Sequence, residues 1–204
     1  MATLTTSYQL IASKNIGTIS GSGVATKTVY LRIYAKYTSQ SIANNKSNVA
    51  YKSALYVEGS GTYFYTGTPT TKTLSGTGAT AVSGSAAGDY YLGETALNEI
   101  TGTVTHSNAG KASVSITASW SSTPWGVSGS VSGSADLPTI ARATTPTLSA
   151  TSVTMGGSIT ITMNPADSSF KHKIRYAFGA LTEKADAFSI KDGFSAQGNT
   201  TSTF

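Results

Sequence analysis

The sequence predicts an all-β protein that opens with an antiparallel β-sandwich, and three observations predict it. Only 11% of the 204 residues are charged, against roughly 25% in an average soluble domain; Ser, Thr, Gly and Asn fill the deficit. Thr suits a pleated surface, because its branched Cβ restricts χ1 to values that fit there. Val, Ile, Leu and Tyr recur with period 2 over most of the length, the pattern of strands with one buried face. That alternation also argues against the disorder a Gly/Ser/Thr-rich chain otherwise invites. Helix is nearly absent: only residues 180–190, with Ala180, Leu181, Glu183, Lys184 and Ala185, have the propensity for one or two turns.

The strongest strand is 27–38, KTVYLRIYAKYT. Val29, Leu31, Ile33, Ala35 and Tyr37 face one way, and Tyr30, Arg32, Tyr34 and Lys36 the other. A polar loop around Asn44, Asn45 and Lys46 leads to a strand at 48–57, with Val49, Tyr51, Leu55 and Val57 on its inner face. Aromatic pieces follow at 62–65 and 89–92, and the Gly/Thr/Ser stretch between them reads as one or two weak strands with long turns. Residues 99–120 read as a two-strand hairpin. Ile100, Gly102, Val104 and His106 alternate with threonines, Ser107-Asn108-Ala109-Gly110 turns the chain, and Ala112 to Trp120 alternates with hydroxyl residues. A last strand at 127–137 places Gly129 and Gly133 inside, leaving room for a bulky residue such as Trp120 or a Tyr. Leu31, Ile33, Val49, Leu55, Val104, Val114, Ile116 and Trp120 form the expected core.

The sandwich is assigned to residues 1–137. Residues 138–146 carry two prolines and no alternation, and read as an extended linker. Alternation restarts with Val153, Met155, Ile159, Ile161 and Met163 and again over 170–178. Residues 147–204 are therefore expected to form a partial immunoglobulin-like β module, since a complete one needs about 100 residues. It is expected to be cut short or completed by a partner, with 179–204 as an arm reaching that partner.

Little in the chain suits catalysis, and no enzymatic activity and no cofactor are expected. There is no Cys, which removes disulfides, thiolate nucleophiles and Cys-ligated metals together. His106 and His172 lie in or beside alternating strands and read as structural; no metal-ligand spacing is present. Glu94 and Glu99 are a close acidic pair within the strand-rich region. They read as a solvated rim rather than as glycosidase carboxylates, which must flank a sugar cleft. The net charge of +5 is carried by no block of like charges, so nucleic acid is not an expected partner. Lys171, Lys173 and Arg175 share one strand face, read as solvated or as a phosphate contact. No segment approaches the roughly 20 apolar residues of a membrane span. The N-terminus MATLTTSYQL lacks the features of a signal peptide, so export by that route is not expected.

Binding is the better-supported chemistry. Trp125 sits in a turn between Pro124 and Gly126, either tucked onto the sandwich end as a plug or presented as a platform for stacking sugar rings. Tyr90 and Tyr91 are a neighbouring aromatic pair, and with Trp125 they are the candidate glycan-stacking residues.

The segments LRIYAKYT, NNKSNVAYKSALYV, GDYYLGETALNEITGTVTHSNAGKASVSITASW, LPTIARAT and SFKHKIRYAFG resemble tail-associated minor structural proteins of siphoviruses that infect Gram-positive, streptococcal-type hosts. The resemblance covers about residues 5–180, and the 99–120 unit with its linker is its most specific part. It implies a virion protein of the tail tip or baseplate, made in the host cytoplasm. It also implies contact with other virion proteins, a homo-oligomer, and attachment to host cell-wall polysaccharide. A purely structural tail or decoration protein, or a free carbohydrate-binding module, are the alternatives. No residue of known function comes with the resemblance.

Overall fold

Period-2 alternation in the first 140 residues becomes eight long strands. The computed structural model describes residues 1–21 and 24–142, and beyond them the strand segments 147–148, 160–163, 171–176, 189–195 and 200–203. The first eight strands are β1 (Gln9–Gly21), β2 (Val24–Ser41), β3 (Lys46–Gly59), β4 (Tyr63–Gly76), β5 (Val82–Tyr91), β6 (Gly93–Thr105), β7 (Ser113–Ser122) and β8 (Val127–Asp136). They form two four-stranded antiparallel sheets, in the orders β1-β2-β3-β6 and β5-β4-β7-β8. The inner rows of both sheets share one apolar core, and all eight expected core residues are buried in it. The described residues are all β, and the first eight strands form a sandwich, as the alternation predicts.

Residues 99–120 are not a hairpin. Strand β6 pairs with β3 in one sheet, whereas β7 pairs with β4 and β8 in the other. The turn at 107–110 is a corner at which the chain changes sheets, and buried His106 holds it. Its Nδ1–H donates to the Gly110 carbonyl at 2.8 Å, and its Nε2 meets the Ser47 hydroxyl at 2.7 Å. The inward assignment of Val104, Val114 and Ile116 survives, because a corner and a hairpin bury the same alternate residues.

Gly129 and Gly133 do face inward, and buried Trp120 lies opposite Gly129 in the β7–β8 register, as expected, but the closest approach to both glycines comes from β1. A Cβ on Gly129 would lie 2.6 Å from Ile16, and one on Gly133 would lie 2.8 Å from Ile11. The two glycines let β1, an edge of one sheet, close down on β8, an edge of the other. The N-terminal residues add to the last residue of β8 alone: Leu4 N–H donates to the Asp136 carbonyl and Asp136 N–H to that of Ala2.

The first compact unit runs from Met1 to Ile140 and the second from Ala141 to Phe204. The expected linker thus loses its first three residues to the sandwich. Ile140 is buried, its N–H donates to the Gly110 carbonyl, and the Gln40 side-chain amide donates to the Pro138 carbonyl at 2.8 Å. In the second unit the described strands are β9 (Thr147–Leu148), β10 (Thr160–Met163), β11 (Lys171–Tyr176), β12 (Ser189–Ser195) and β13 (Thr200–Thr203). They form a three-stranded sheet, β13-β10-β9, and a two-stranded sheet, β11-β12. Residues 179–204 are therefore not simply an arm, since β12 and β13 lie within them. The cations Lys171, Lys173 and Arg175 belong to β11, which pairs with β12. The helical turns expected at 180–190 fall largely outside the described residues, and residues 189–190 are strand.

Candidate functional site

The start of β4 and the end of β5 pair as Tyr63↔Tyr91, Phe64↔Tyr90, Tyr65↔Asp89 and Thr66↔Gly88, whereas β4 meets β7 only from Thr71 onward. This pair of strand ends therefore reaches past the rest of its sheet. Alternation sorts its aromatic residues by face. Phe64 and Tyr90 turn inward, and Tyr63, Tyr65 and Tyr91 turn out, with exposures of 48%, 54% and 55%.

Of the three candidate residues, Tyr90 is corrected. It is only 6% exposed; its ring stacks on Phe64 at 5.2 Å and meets Trp120 edge-on at 5.6 Å. Both contacts are gained by burying apolar ring area, so no ring face remains for a ligand. Neighbouring strand residues point to opposite faces, which is why Tyr90 and Tyr91 are not a pair in space. Tyr91 stands outside and meets Tyr63 at 5.6 Å. Trp125 takes the plug position of its two alternatives. It is half-buried and edge-on to Phe64 at 6.4 Å, and its indole N–H donates to the Tyr65 carbonyl at 2.8 Å. Beyond the reach of β7, that bond fills the place a strand neighbour would take.

What the fold assembles is an outward edge of Tyr63, Tyr65 and Tyr91, with exposed Leu92 beside it and Asp89 opposite Tyr65. Tyr63 and Tyr65 carry a strong sequence signal, two aromatics at i and i+2. Only the cross-strand register shows that Tyr91 joins them. Flat rings with one open face meet the C–H groups of sugars well, and a carboxylate beside them accepts hydrogen bonds from hydroxyls.

A second aromatic surface covers the outer face of the other sheet. The Arg32 guanidinium lies 3.4 Å from the centre of the Tyr56 ring, Lys52 lies 4.7 Å from that of Tyr34, and Lys36 lies 4.4 Å from that of Tyr8. Lys52 also pairs with Glu94 at 2.9 Å, the Tyr34 hydroxyl donates to Glu94, and the Tyr8 hydroxyl donates to Glu99 at 2.6 Å. Burial alone would push the Glu94 carboxyl up. The Tyr34 hydroxyl, Lys52 and Arg32 outweigh that and hold it below the usual carboxylate range. Burial first, and then the bond to Glu99, push the Tyr8 hydroxyl well up. Here cations, rings and carboxylates mostly engage one another, although the buried Arg32 Nε has no hydrogen-bond partner. Glu94 and Glu99 are thus tied into a structural network, not paired across a cleft. The outward row Tyr30, Arg32, Tyr34 and Lys36 was legible from alternation; its partners on β3, on β6 and at Tyr8 were not.

Comparison with curated proteins and with solved structures finds no match. Residues 25–194 match the model of one family, described as siphovirus protein of unknown function (DUF859). The match takes in seven of the eight sandwich strands, including the whole aromatic edge, and runs on into β12. With most of its length matched, the chain belongs to this siphovirus family.

Proposed function

We propose that this siphovirus protein is a component of the virion tail tip or baseplate that attaches, without catalysis, to host cell-wall polysaccharide. Sugar rings lie on Tyr63, Tyr65 and Tyr91, and Asp89 accepts hydrogen bonds from their hydroxyl groups. One observation carries the reading: three tyrosines on two paired strand ends are each about half exposed, on one face and projecting past their sheet. Large apolar groups gathered on a soluble surface usually mark a contact site. Tyr pairs an amphipathic ring with only two torsions, so ordering it on a ligand costs little. Neighbouring virion proteins, further copies of this chain among them, are its structural partners.

The test is retention of the full chain on purified host cell walls. Replacing both Tyr63 and Tyr91 by Ala should abolish retention and leave the thermal unfolding midpoint nearly unchanged. Retention equal to that of the unaltered chain would refute the glycan role of this edge. Absence of wall binding by the unaltered chain, together with assembly into tail particles that Tyr63→Ala/Tyr91→Ala prevents, would make the edge a subunit contact in a purely structural protein.

A further inference from the structure

The alternation that buries Val29, Leu31 and Ile33 also turns Lys27 inward, at the end of β2. Lys27 is only 3% exposed. An ammonium has three donors, and among the described residues one of them is used, toward the Ala25 carbonyl at 3.1 Å. Among those residues no carboxylate lies within 4.0 Å of it. A buried cation without a counter-ion is among the most costly groups a fold can hold. A Met or Leu at this position would extend the apolar row without that cost.

The ammonium lies beside an opening between the ends of the two sheets. This mouth has a volume of about 350 Å³ and is lined by Ala25, Lys27, the 61–65 segment and Trp125. Gly61 has φ +82°, and a Cβ there would sit 3.2 Å from Lys27 Nζ and 3.2 Å from the Ala25 methyl. With no side chain at Gly61, only backbone stands between the ammonium and the mouth on that side. Tyr63 and Tyr65 line the mouth and also belong to the exposed edge.

We propose that Lys27 is an anion subsite: an oxyanion, the carboxylate or phosphate of an acidic surface glycan, enters the mouth and accepts from the donors Lys27 leaves open. The net charge of +5 favours encounter with such a polyanion. This deepens the reading of the tyrosine edge as a glycan face, by giving the glycan its charge and one end of its path.

The experiment titrates the full chain with inorganic phosphate, glycerol phosphate and glucuronate at constant ionic strength, with chloride as control. The Gly61 amide and the Trp125 indole N–H are followed by NMR, and the Tm is measured alongside. Saturable shifts at both protons and a rise in Tm are expected, since a ligand that binds only the folded state stabilises it. A response to the phosphates alone, or to glucuronate alone, identifies the source of the oxyanion. Lys27→Met should abolish the shifts and have a Tm without anion at or above that of the unaltered chain; Lys27→Arg should keep the shifts.

No saturable shift with any of the three anions overturns the proposal, as does a Lys27→Met protein that titrates normally. A Lys27→Met protein that fails to fold, or melts well below the unaltered chain, would make the ammonium a structural hydrogen-bond donor and also overturn it. Wall retention without anion shifts defeats this inference alone. Anion shifts without wall retention defeat the glycan reading and leave the subsite standing.

Discussion

Tyr90 and Tyr91 are adjacent, identical in chemistry and opposite in consequence. Tyr90→Ala removes a ring packed against Phe64 and Trp120 and should cost about 3–5 kcal/mol in urea unfolding, the range for large buried aromatics. Tyr91→Ala removes an exposed ring and should stay within about 0.5 kcal/mol while weakening wall retention. Ile116→Ala, at the centre of β7 and fully buried, should cost about 2–5 kcal/mol; a loss the size of a surface effect would place Ile116 on the wrong face. Glu94 offers a pH-dependent test. Its carboxyl is held below the ordinary value of 4.5, so its network stabilises the fold above that pH and the contribution is lost as pH falls through the lower, folded value. Unfolding at stepped pH should therefore find Glu94→Gln less stable than the unaltered chain near neutrality. That gap should shrink as pH falls below about 4.5; a gap that does not change with pH would exclude this origin.

At the scale of elements, alternation made most of the sheet legible and connectivity much less so. The runs 27–38 and 48–57 were readable as β2 and β3 because burial of one face enforces period 2 over many residues. β1 went unread. Its register shifts at Leu10/Ala12, Asn15/Gly17 and Ile19/Gly21 break the alternation by which a strand is recognised. The corner at 107–110 looked like a hairpin because Asn and Gly in a short turn are compatible with both. What separates the two is distant: the Asn45 side-chain amide donates to the His106 and Ser107 carbonyls, and Ser47 meets the His106 ring. The aromatic edge was half legible for the same reason, since Tyr91 reaches Tyr63 only through the β4–β5 register. Gly76 tests the packing between elements. A Cβ there would come 2.5 Å from the ring of Tyr51, which is fully buried and whose hydroxyl donates to the Thr77 carbonyl at 2.7 Å. Gly76→Ala should lower stability by about 1–3 kcal/mol, as overpacking does. The same change at Gly84, where a Cβ meets nothing within 4 Å, should not lower stability, since it only restricts the unfolded chain; an equal loss at both positions would show that the Tyr51 ring does not set the cost.

On the scale of the whole molecule, the informative place is where the first unit stops. Composition put the boundary after Leu137, because Pro138 and the loss of alternation look like a linker. Packing carries it on to Ile140. Leu137 and Ile140 are both buried, and their N–H groups donate to the carbonyls of Ala112 and Gly110. The segment after β8 thus folds back along the corner that joins the two sheets and covers it with two apolar side chains. Each such side chain contributes about 1.5–3 kcal/mol when fully buried. The pair is worth about 3–6 kcal/mol, against a total of about 5–15 kcal/mol for a typical domain. Two truncated chains make the test. Residues 1–142 should fold alone and unfold in urea at the midpoint of the first transition of the full chain. Residues 1–136, which retain every strand of both sheets, should be marginal, with a midpoint far lower or no cooperative transition. If 1–136 is as stable as 1–142, the strands alone close the core and the tail after β8 is only a tether. If 1–142 is itself unfolded, the sandwich depends on the chain beyond it and is not an independent unit.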